Sequence, residues 1–307
     1  MDKTFIIFSQ SFDVNSGGAL ALHKLCHLIK QLGRECFIFP YFPGAPLDNC
    51  TNDLFLNNIK LTEENLANYK IYSEFNTPVL EPKSYKAIEK NKDIIVIYPE
   101  IIKGNPLNAA NVVRWLLHNP GFHTGKVYYE TNEIYFKFGH ETQGVSIPNS
   151  VMANNILSVT HFASDLYNED NTAFQRAGTA FCIRKGKDKQ LCHDLSESIC
   201  IDGLSHQEIS QIFKRVKQFI SYDTRTYYSL LAAACGCESI VIPDPGISEE
   251  QCFPDIRTRY GIAYGFENIE KSKLTRHLVK DYLINRDIES KNNVLNCLEE
   301  IKIFFNR

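Results

Sequence analysis

Short apolar runs alternate with amphipathic segments from the start of the chain. Thr4–Gln10 and Glu35–Tyr41 have the continuous apolar character of buried strands. Between them, Ala19–Leu32 carries apolar residues three and four positions apart, which is the spacing of a helix that buries one face, and Gly33 ends it. This order of strand, helix and strand predicts a βαβ unit, whose crossover makes the two strands parallel.

The alternation continues to the end of the chain. Further strands are predicted at Asp93–Tyr98, Val112–Leu117, Lys126–Glu130, Thr179–Ile183, Ser198–Ile201, Gln218–Ser221, Ser239–Pro243 and Gly261–Gly265. Helices are predicted at Lys83–Lys92, Ser205–Phe213, Tyr227–Cys235 and Asp287–Asn306. Val112–Leu117 could also be helical, but its paired valines and the sharp turn after it favour a strand. In Ser205–Phe213, Ser205 and Glu208 have the spacing of a capping box.

The pattern breaks near residues 145–175, where the chain becomes polar and rich in asparagine. We therefore predict an α/β protein with two tandem Rossmann-like domains, at residues 1–155 and 156–285. The final helix, at residues 286–307, is expected to return to the N-terminal domain. Because such folds bind ligands at the carboxyl ends of their strands, we expect the two parallel sheets to face a cleft.

Composition and charge indicate which partners and which cellular location to expect for this protein. The 307 residues are 44% hydrophobic and carry a net charge of −3, and neither half of the chain is basic enough to neutralise nucleic-acid phosphates, so nucleic acid is not an expected partner. The longest apolar runs are shorter than the roughly 20 residues of a membrane span, so at most peripheral membrane contact is expected. The ten cysteines form no CxxC pair and mostly lie in apolar segments. This favours reduced thiols. The protein is therefore expected in the cytoplasm, where it could also lie at the inner face of the membrane.

The segment from Ser221 to Pro243 carries the strongest chemical signal. Asp223 follows a strand, an alanine-rich helix comes next, and Gly236 ends that helix before another buried strand. A carboxylate at a strand end can bind sugar hydroxyls, while a helix N-terminus offers N–H groups to a diphosphate. This combination suits a nucleotide sugar, with Thr224, Thr226 and Tyr227 as further contacts. Asp223 could instead be a helix cap in a plain Rossmann-like unit.

This segment resembles the donor-binding block of the retaining family 4 glycosyltransferases. The family pattern has an acidic residue, seven others, a Glu, Ala-x-Ala-x-Gly and then a strand ending in Pro. Asp223 falls on the first acidic position, and Ala232, Ala234 and Gly236 fall on the small positions. Leu231 stands where the family carries the Glu that holds the nucleotide ribose, so the resemblance implies a different grip on the nucleotide.

Two more segments resemble the same family. Ser16, Gly17 and Gly18, before the first helix, are similar to its N-terminal glycine loop, which faces the acceptor and the donor phosphate. The run Arg184-Lys185-Gly186-Lys187 is similar to the Arg and Lys that clamp the diphosphate. Fixed cations of this kind can replace a metal ion as charge develops on the leaving group. Which lysine pairs with Arg184 stays open, and a solvated basic turn is the alternative.

Other candidates lie at predicted strand ends. A neutral His118 could bind a sugar hydroxyl or accept the acceptor's proton, although a His before Asn-Pro-Gly is as often a turn residue. Glu100 and Glu130 are the carboxylates that could serve as a base. Ser248 and Glu249 follow the Ser239–Pro243 strand and are weaker substrate-binding candidates. No Asp-x-Asp occurs in the chain, so the carboxylate pair that binds a metal in the other large glycosyltransferase fold is missing.

The resemblance implies a fold of the GT-B type and a metal-independent glycosyltransferase without a cofactor. Its expected donor is a nucleoside-diphosphate hexose, with a UDP-sugar first. Its expected acceptor is a glycan or a lipid-linked sugar of surface polysaccharide synthesis. Two alternatives remain from the sequence: a nucleotide-sugar epimerase on the same fold, and a non-catalytic nucleotide-sugar-binding partner of a transferase.

Overall fold

The computed structural model describes residues 3–41, 66–140 and 142–306. The chain divides into two compact units, Met1–His161 with Asp287–Arg307, and Phe162–Arg286. The sequence placed the boundary near residue 155 and the return of the chain at residue 286. Each unit has its own sheet and its own hydrophobic core.

The first unit contains a six-stranded sheet in which every paired strand is parallel. Its strands are β1 (Thr4–Gln10), β2 (Cys36–Tyr41), β3 (Ile94–Pro99), β4 (Asn111–Leu116), β5 (Ile134–Lys137) and β6 (Val151–Met152). The helix α1 (Gly17–Gln31) connects β1 to β2, and a 3-10 helix (Pro82–Ile88) precedes β3. The order β2-β1-β3-β4-β5-β6 means that the chain changes direction across the sheet between β1 and β3. In parallel α/β sheets such a switch point is where ligands bind.

Alternation along β1 divides the first unit's core between the two faces of the sheet. Phe5 and Ile7 pack in the cluster that includes α1, whereas Ile6 and Phe8 pack in the cluster on the other face. Both faces are therefore covered, which explains why β1 is a continuous apolar run rather than an alternating one.

The second unit contains a five-stranded parallel sheet in the order β11-β10-β9-β7-β8. Its strands are β7 (Thr179–Cys182), β8 (Ser198–Cys200), β9 (Gln218–Ser221), β10 (Glu238–Val241) and β11 (Ile262–Tyr264). Its helices are α2 (His206–Phe213), α3 (Tyr228–Ala234), α4 (Glu249–Cys252) and α5 (Ile269–Lys273), with 3-10 turns at Ile256–Arg259, Phe266–Asn268 and Arg276–Leu278. The order of the strands places a second switch point between β7 and β9.

The last helix, α6 (Val279–Phe305), belongs to both units. Val279 and Leu283 are buried in the core of the second unit, whereas Val294 and Ile301 are buried in the core of the first. The helix begins before the predicted Asp287, so the sequence identified only its second part.

The predicted fold class, α/β with two parallel-sheet Rossmann-like units, is confirmed. A cleft shared by the two sheets stays a prediction. The predicted strand at Lys126–Glu130 is wrong, because residues 126–130 are irregular and the strand that pairs with β4 is β5, at Ile134–Lys137. In the irregular segment, the Tyr128 carbonyl accepts a hydrogen bond from the Gly104 N–H at 2.6 Å. The predicted helix at Lys83–Lys92 is a 3-10 helix at Pro82–Ile88.

Candidate functional site

A cleft of about 370 Å³ lies at the carboxyl ends of β1 to β4, beside the start of α1. It therefore includes the switch point of the first unit. The residues that line it are Phe8, Gln10, Ser16, Gly18, Ala19, Leu22, Tyr41, Pro99, Glu100, Ile101, Leu117, His118 and His123. Three of the predicted site residues, Gly18, Glu100 and His118, are thus brought together.

Glu100 directly follows β3 and is only 6% exposed. Burial raises the pKa of its carboxyl to about 7, although the backbone N–H groups of Leu117 and His118 oppose this shift in part. The Leu117 N–H donates to Glu100 Oε2 at 3.2 Å, and the Tyr129 hydroxyl donates to the Glu100 carbonyl at 2.8 Å. A carboxyl with this pKa is poised to accept or return a proton near neutral pH.

His118 and His123 lie on the turn that follows β4. The Asn119 N–H donates to His118 Nδ1 at 2.8 Å, so a neutral His118 carries its proton on Nε2. That tautomer can donate a hydrogen bond to a sugar hydroxyl, and it makes Glu100 the better base. His123 was not singled out from the sequence, because a turn histidine carries no signal until the cleft beside it is known.

Gly17 and Gly18 are the first two residues of α1. Ser16 caps the helix by accepting from the Ala19 N–H at 3.3 Å, and Gln10 Nε2 donates to the same hydroxyl at 3.1 Å. A Cβ at Gly17 would meet nothing within 4 Å, and a Cβ at Gly18 would meet only Leu117 Cδ1 at 3.8 Å. Packing therefore does not demand glycine at these positions. The N–H groups of Gly17 and Gly18 belong to the first turn, whose N–H groups a helix cannot satisfy internally, and Gly18 lines the cleft.

A second group of polar side chains lies at the switch point of the second unit. Arg184 follows β7, and its Nε is 3.8 Å from Oδ2 of Asp223, which follows β9. The Arg184 guanidinium also lies 5.2 Å from the ring centre of Tyr228. Asp223 is 7% exposed, and its Oδ1 accepts from the Arg225 N–H at 3.3 Å. Its carboxylate is thus fixed by its own turn rather than by capping α3.

Lys189, which was not singled out from the sequence, contacts the segments that follow β9 and β10. Its Nζ donates to Thr224 Oγ1 at 2.7 Å and to the Ile242 carbonyl at 2.6 Å, and it lies 2.7 Å from Asp244 Oδ1. Burial alone would raise the pKa of Asp244, but the bonds from Lys189 and Thr224 outweigh it and lower the pKa. Lys185 and Lys187, the predicted lysines, are exposed.

Gly186 explains how the chain turns inward between Arg184 and Lys189. A Cβ at residue 186 would overlap the Tyr222 carbonyl oxygen and lie 2.8 Å from the Tyr222 Cβ. Only glycine allows the loop after β7 to pass this close to the end of β9. The glycine and the strand β9 were both predicted from the sequence, but their close approach was not.

The remaining predicted residues make local contacts. Thr226 donates its N–H to the Asp223 carbonyl at 3.3 Å, and Tyr227 directly precedes α3. Ser248 caps α4 in a reciprocal capping box with Gln251. Glu249 forms an ion pair with Lys271 at 2.8 Å. Because Ser248 and Glu249 are engaged in this way, their roles as substrate contacts stay predictions with less support. Glu130 is exposed.

Within residues 3–41, 66–140 and 142–306, no group of three or more His, Cys, Asp and Glu side chains could hold a metal ion. No helix in these ranges has the length and apolar character to cross a membrane. The nine cysteines that the structure describes are free thiols.

The similarity of this chain to known proteins is seen only among solved structures. No protein-family model and no curated protein matches the sequence. Among solved structures, the chain is similar to MurG of Acinetobacter baumannii, with 11% identity, a TM-score of 0.36 and coverage of 97% of this chain and 99% of that one. It is similar to TarM, with 10% identity, a TM-score of 0.41 and coverage of 100% and 99%.

It is also similar to BGT of T4 phage in complex with its UDP-glucose substrate, with 8% identity, a TM-score of 0.40 and coverage of 99% and 97%. None of these likenesses is close enough to carry an argument about function, which rests instead on the residues of this chain.

Proposed function

We propose that the chain is a GT-B glycosyltransferase that transfers a hexose from a nucleoside-diphosphate sugar to a glycan or lipid-linked acceptor of surface polysaccharide synthesis. The observation that carries this proposal is the group of Arg184, Asp223 and Thr224 at the switch point of the second sheet. A cation at this place can bind the diphosphate of a nucleotide sugar, and a buried carboxylate can bind the hydroxyls of its sugar.

The donor would bind in the second unit. The Arg184 side chain is 46% exposed and its contact with Asp223 is long, so its guanidinium can turn toward a diphosphate and bind it through two N–H groups. The carboxylate of Asp223 would accept hydrogen bonds from sugar hydroxyls. Lys189 has three partners already and would hold the loops of Thr224 and Asp244 in place.

The acceptor would bind in the cleft of the first unit, with Glu100 as the base. In the transfer, an acceptor hydroxyl gives its proton to Glu100 as its oxygen bonds to the anomeric carbon. The bond from that carbon to the diphosphate breaks, and the nucleoside diphosphate leaves with the electron pair. Arg184 would neutralise the leaving diphosphate, which is why we propose that the reaction needs no metal ion.

Binding of UDP, as the expected donor's leaving group, tests the assignment of Arg184. We expect Arg184→Ala to weaken UDP binding by roughly 10- to 150-fold and uridine binding very little, since a charged hydrogen bond is worth about 1.5–3 kcal/mol. Isothermal calorimetry with both ligands measures this, with Lys187→Ala as the matched exposed cation. Equal weakening of UDP and uridine would assign Arg184 a structural role.

One observation favours the alternative of a non-catalytic binding partner. Leu231, at the position where family 4 carries the ribose Glu, is 2% exposed and lies in the core of the second unit. Hydrolysis of UDP-sugars by the purified protein, and by its Glu100→Gln variant, separates the two functions. Turnover that disappears in the variant supports the enzyme, whereas UDP binding without turnover of any sugar tested supports the partner.

A further inference from the structure

Phe122 is an aromatic side chain held in solvent at the rim of the first unit's cleft. Its side chain is 65% exposed. Its ring centre lies 4.2 Å from that of His118 and 4.9 Å from that of His123, and both histidines line the cleft. The three rings, which we call the Phe122 platform, are therefore continuous with the cleft wall.

The turn that carries Phe122 is well ordered by hydrogen bonds. The Phe122 N–H donates to the Asn119 carbonyl at 3.1 Å, and the Gly125 N–H donates to the Gly121 carbonyl at 2.8 Å. Gly121 and Gly125 both have positive φ, at 81° and 70°, where other residues are strained. The Asn119 side chain also accepts from the Gln143 N–H at 2.8 Å. The exposure of Phe122 is thus built into the turn, and its contact with two histidines of the cleft makes it part of the cleft's aromatic lining.

The surroundings of the platform indicate the chemistry of its ligand. The cleft beside it offers the Glu100 carboxyl, the Ser16 hydroxyl and the Gln10 amide. A sugar ring has one face of C–H groups and a rim of hydroxyls, so it can stack on an aromatic face while its hydroxyls reach polar groups. A lipid chain in the same place would take these polar groups out of water without offering them any further hydrogen bond, which is unfavourable.

We propose that the Phe122 platform is a saccharide-binding subsite that stacks on a sugar ring of the acceptor. This rests on the proposed function in that the cleft is taken as the acceptor side. The subsite would place the acceptor sugar next to Glu100, and it identifies the recognised part of the acceptor as carbohydrate rather than lipid.

A glycan array of mono- and oligosaccharides, probed with the labelled full chain, tests this subsite. We expect wild-type protein to bind a subset of the saccharides, Phe122→Tyr to bind the same subset, and Phe122→Ala to bind them about tenfold more weakly or not at all. Phe174→Ala is the matched control, because Phe174 is a fully exposed phenylalanine of the second unit and should leave the array pattern unchanged.

Two further measurements separate this proposal from its rivals. UDP affinity by calorimetry should be the same for wild type and Phe122→Ala, and vesicles of phosphatidylglycerol and phosphatidylethanolamine should bind both equally. Absence of saccharide binding by wild type, an unchanged array pattern for Phe122→Ala, or a loss confined to vesicles or to UDP would overturn the proposal. If UDP binds to no variant while saccharides bind through Phe122, the donor assignment fails and the subsite stands.

Discussion

Two equally buried carboxyl groups of this chain, Glu100 and Asp223, have different neighbours. Glu100 and Asp223 are exposed to almost the same small extent, at 6% and 7%. Asp223 has the Arg184 cation 3.8 Å away, whereas the contacts of Glu100 that influence its charge are backbone N–H groups. Burial therefore raises the pKa of Glu100 to about 7, where a carboxyl can exchange protons near neutral pH, whereas Asp223 lies beside a cation.

Replacing Glu100 with Gln tests its role as a base. We expect a loss of transfer of about 100-fold or more, because Gln keeps the shape but cannot take the acceptor's proton. In wild type, kcat/KM should rise with pH and level off above the Glu100 pKa of about 7. The pH profile of the residual activity should lack this rise. A variant with the same pH profile as wild type would exclude Glu100 as the titrating base.

Although Glu100→Gln should lower activity, it should raise the stability of the fold above neutral pH. Because the pKa of Glu100 is raised from 4.5 to about 7, the folded state binds this proton more tightly than the unfolded state does. Its contribution is favourable below the unfolded pKa and is lost as pH rises through about 7. We expect Glu100→Gln to be more stable than wild type at about pH 8, by up to about 3 kcal/mol, and to lose this advantage under acid conditions. Urea unfolding at both pH values measures the difference.

Asp223→Asn separates donor binding from a structural role. The Asn oxygen can still accept from the Arg225 N–H, so we expect a melting temperature near that of wild type. Transfer should nevertheless fall strongly, because the charge that positions the sugar for attack is gone. Asp165→Asn, at an exposed aspartate of the same unit, is the control and should leave transfer unchanged. A large drop in melting temperature with activity retained in the folded fraction would mean that Asp223 is structural.

At the scale of elements, local patterns predicted what local forces determine. The capping box of Ser205 and Glu208 is confirmed by both of its hydrogen bonds, because its geometry depends on four consecutive residues. The strand at Lys126–Glu130 was wrong because its apolar residues lie in a loop, where Val127 is 39% and Tyr128 is 54% exposed. A short apolar run in an exposed loop has the same sequence pattern as a short strand.

In the candidate site too, local sequence predicted some residues, whereas others depend on contacts between distant segments. Arg184 and Asp223 were predicted because each comes just after a predicted strand and falls in a segment that resembles the family 4 glycosyltransferases. Lys189 was missed because its position depends on the course of a loop, and Gly186 allows that course by passing close to Tyr222. His123 was missed because the cleft forms only when β1 and β3 pair. These residues depend on contacts between distant parts of the chain.

Gly186→Ala tests the tight passage of the loop after β7. Since a Cβ would overlap the Tyr222 carbonyl oxygen, we expect a loss of about 1–3 kcal/mol in stability as the loop or strand shifts. Gly17→Ala is a matched control for stability, because a Cβ there would meet nothing within 4 Å. Thermal unfolding of both variants decides the matter, and equal melting temperatures would mean that the loop relaxes without cost.

For the whole molecule, α6 is the element that contributes to both cores. Val279, Leu283 and Tyr282 are buried in the second unit, and Val294 and Ile301 are buried in the first, where the chain returns after Arg286. The first unit is therefore discontinuous in sequence, and its core depends on residues that come last in the chain.

Val294→Asp tests this dependence. Val294 is fully buried in the first unit's core, and an unpaired carboxylate there should cost several kcal/mol, enough to unfold a unit of ordinary stability. We expect hydrogen exchange to speed up in β1, β3 and β4, while β9 and β10 keep their protection because their core is a separate cluster. Leu295→Asp is the matched control, because its side chain is 44% exposed on the same helix and should change exchange little. Equal loss of protection in both sheets would show that the two units unfold as one cooperative body, and unchanged exchange in β1 would show that the first core does not need α6.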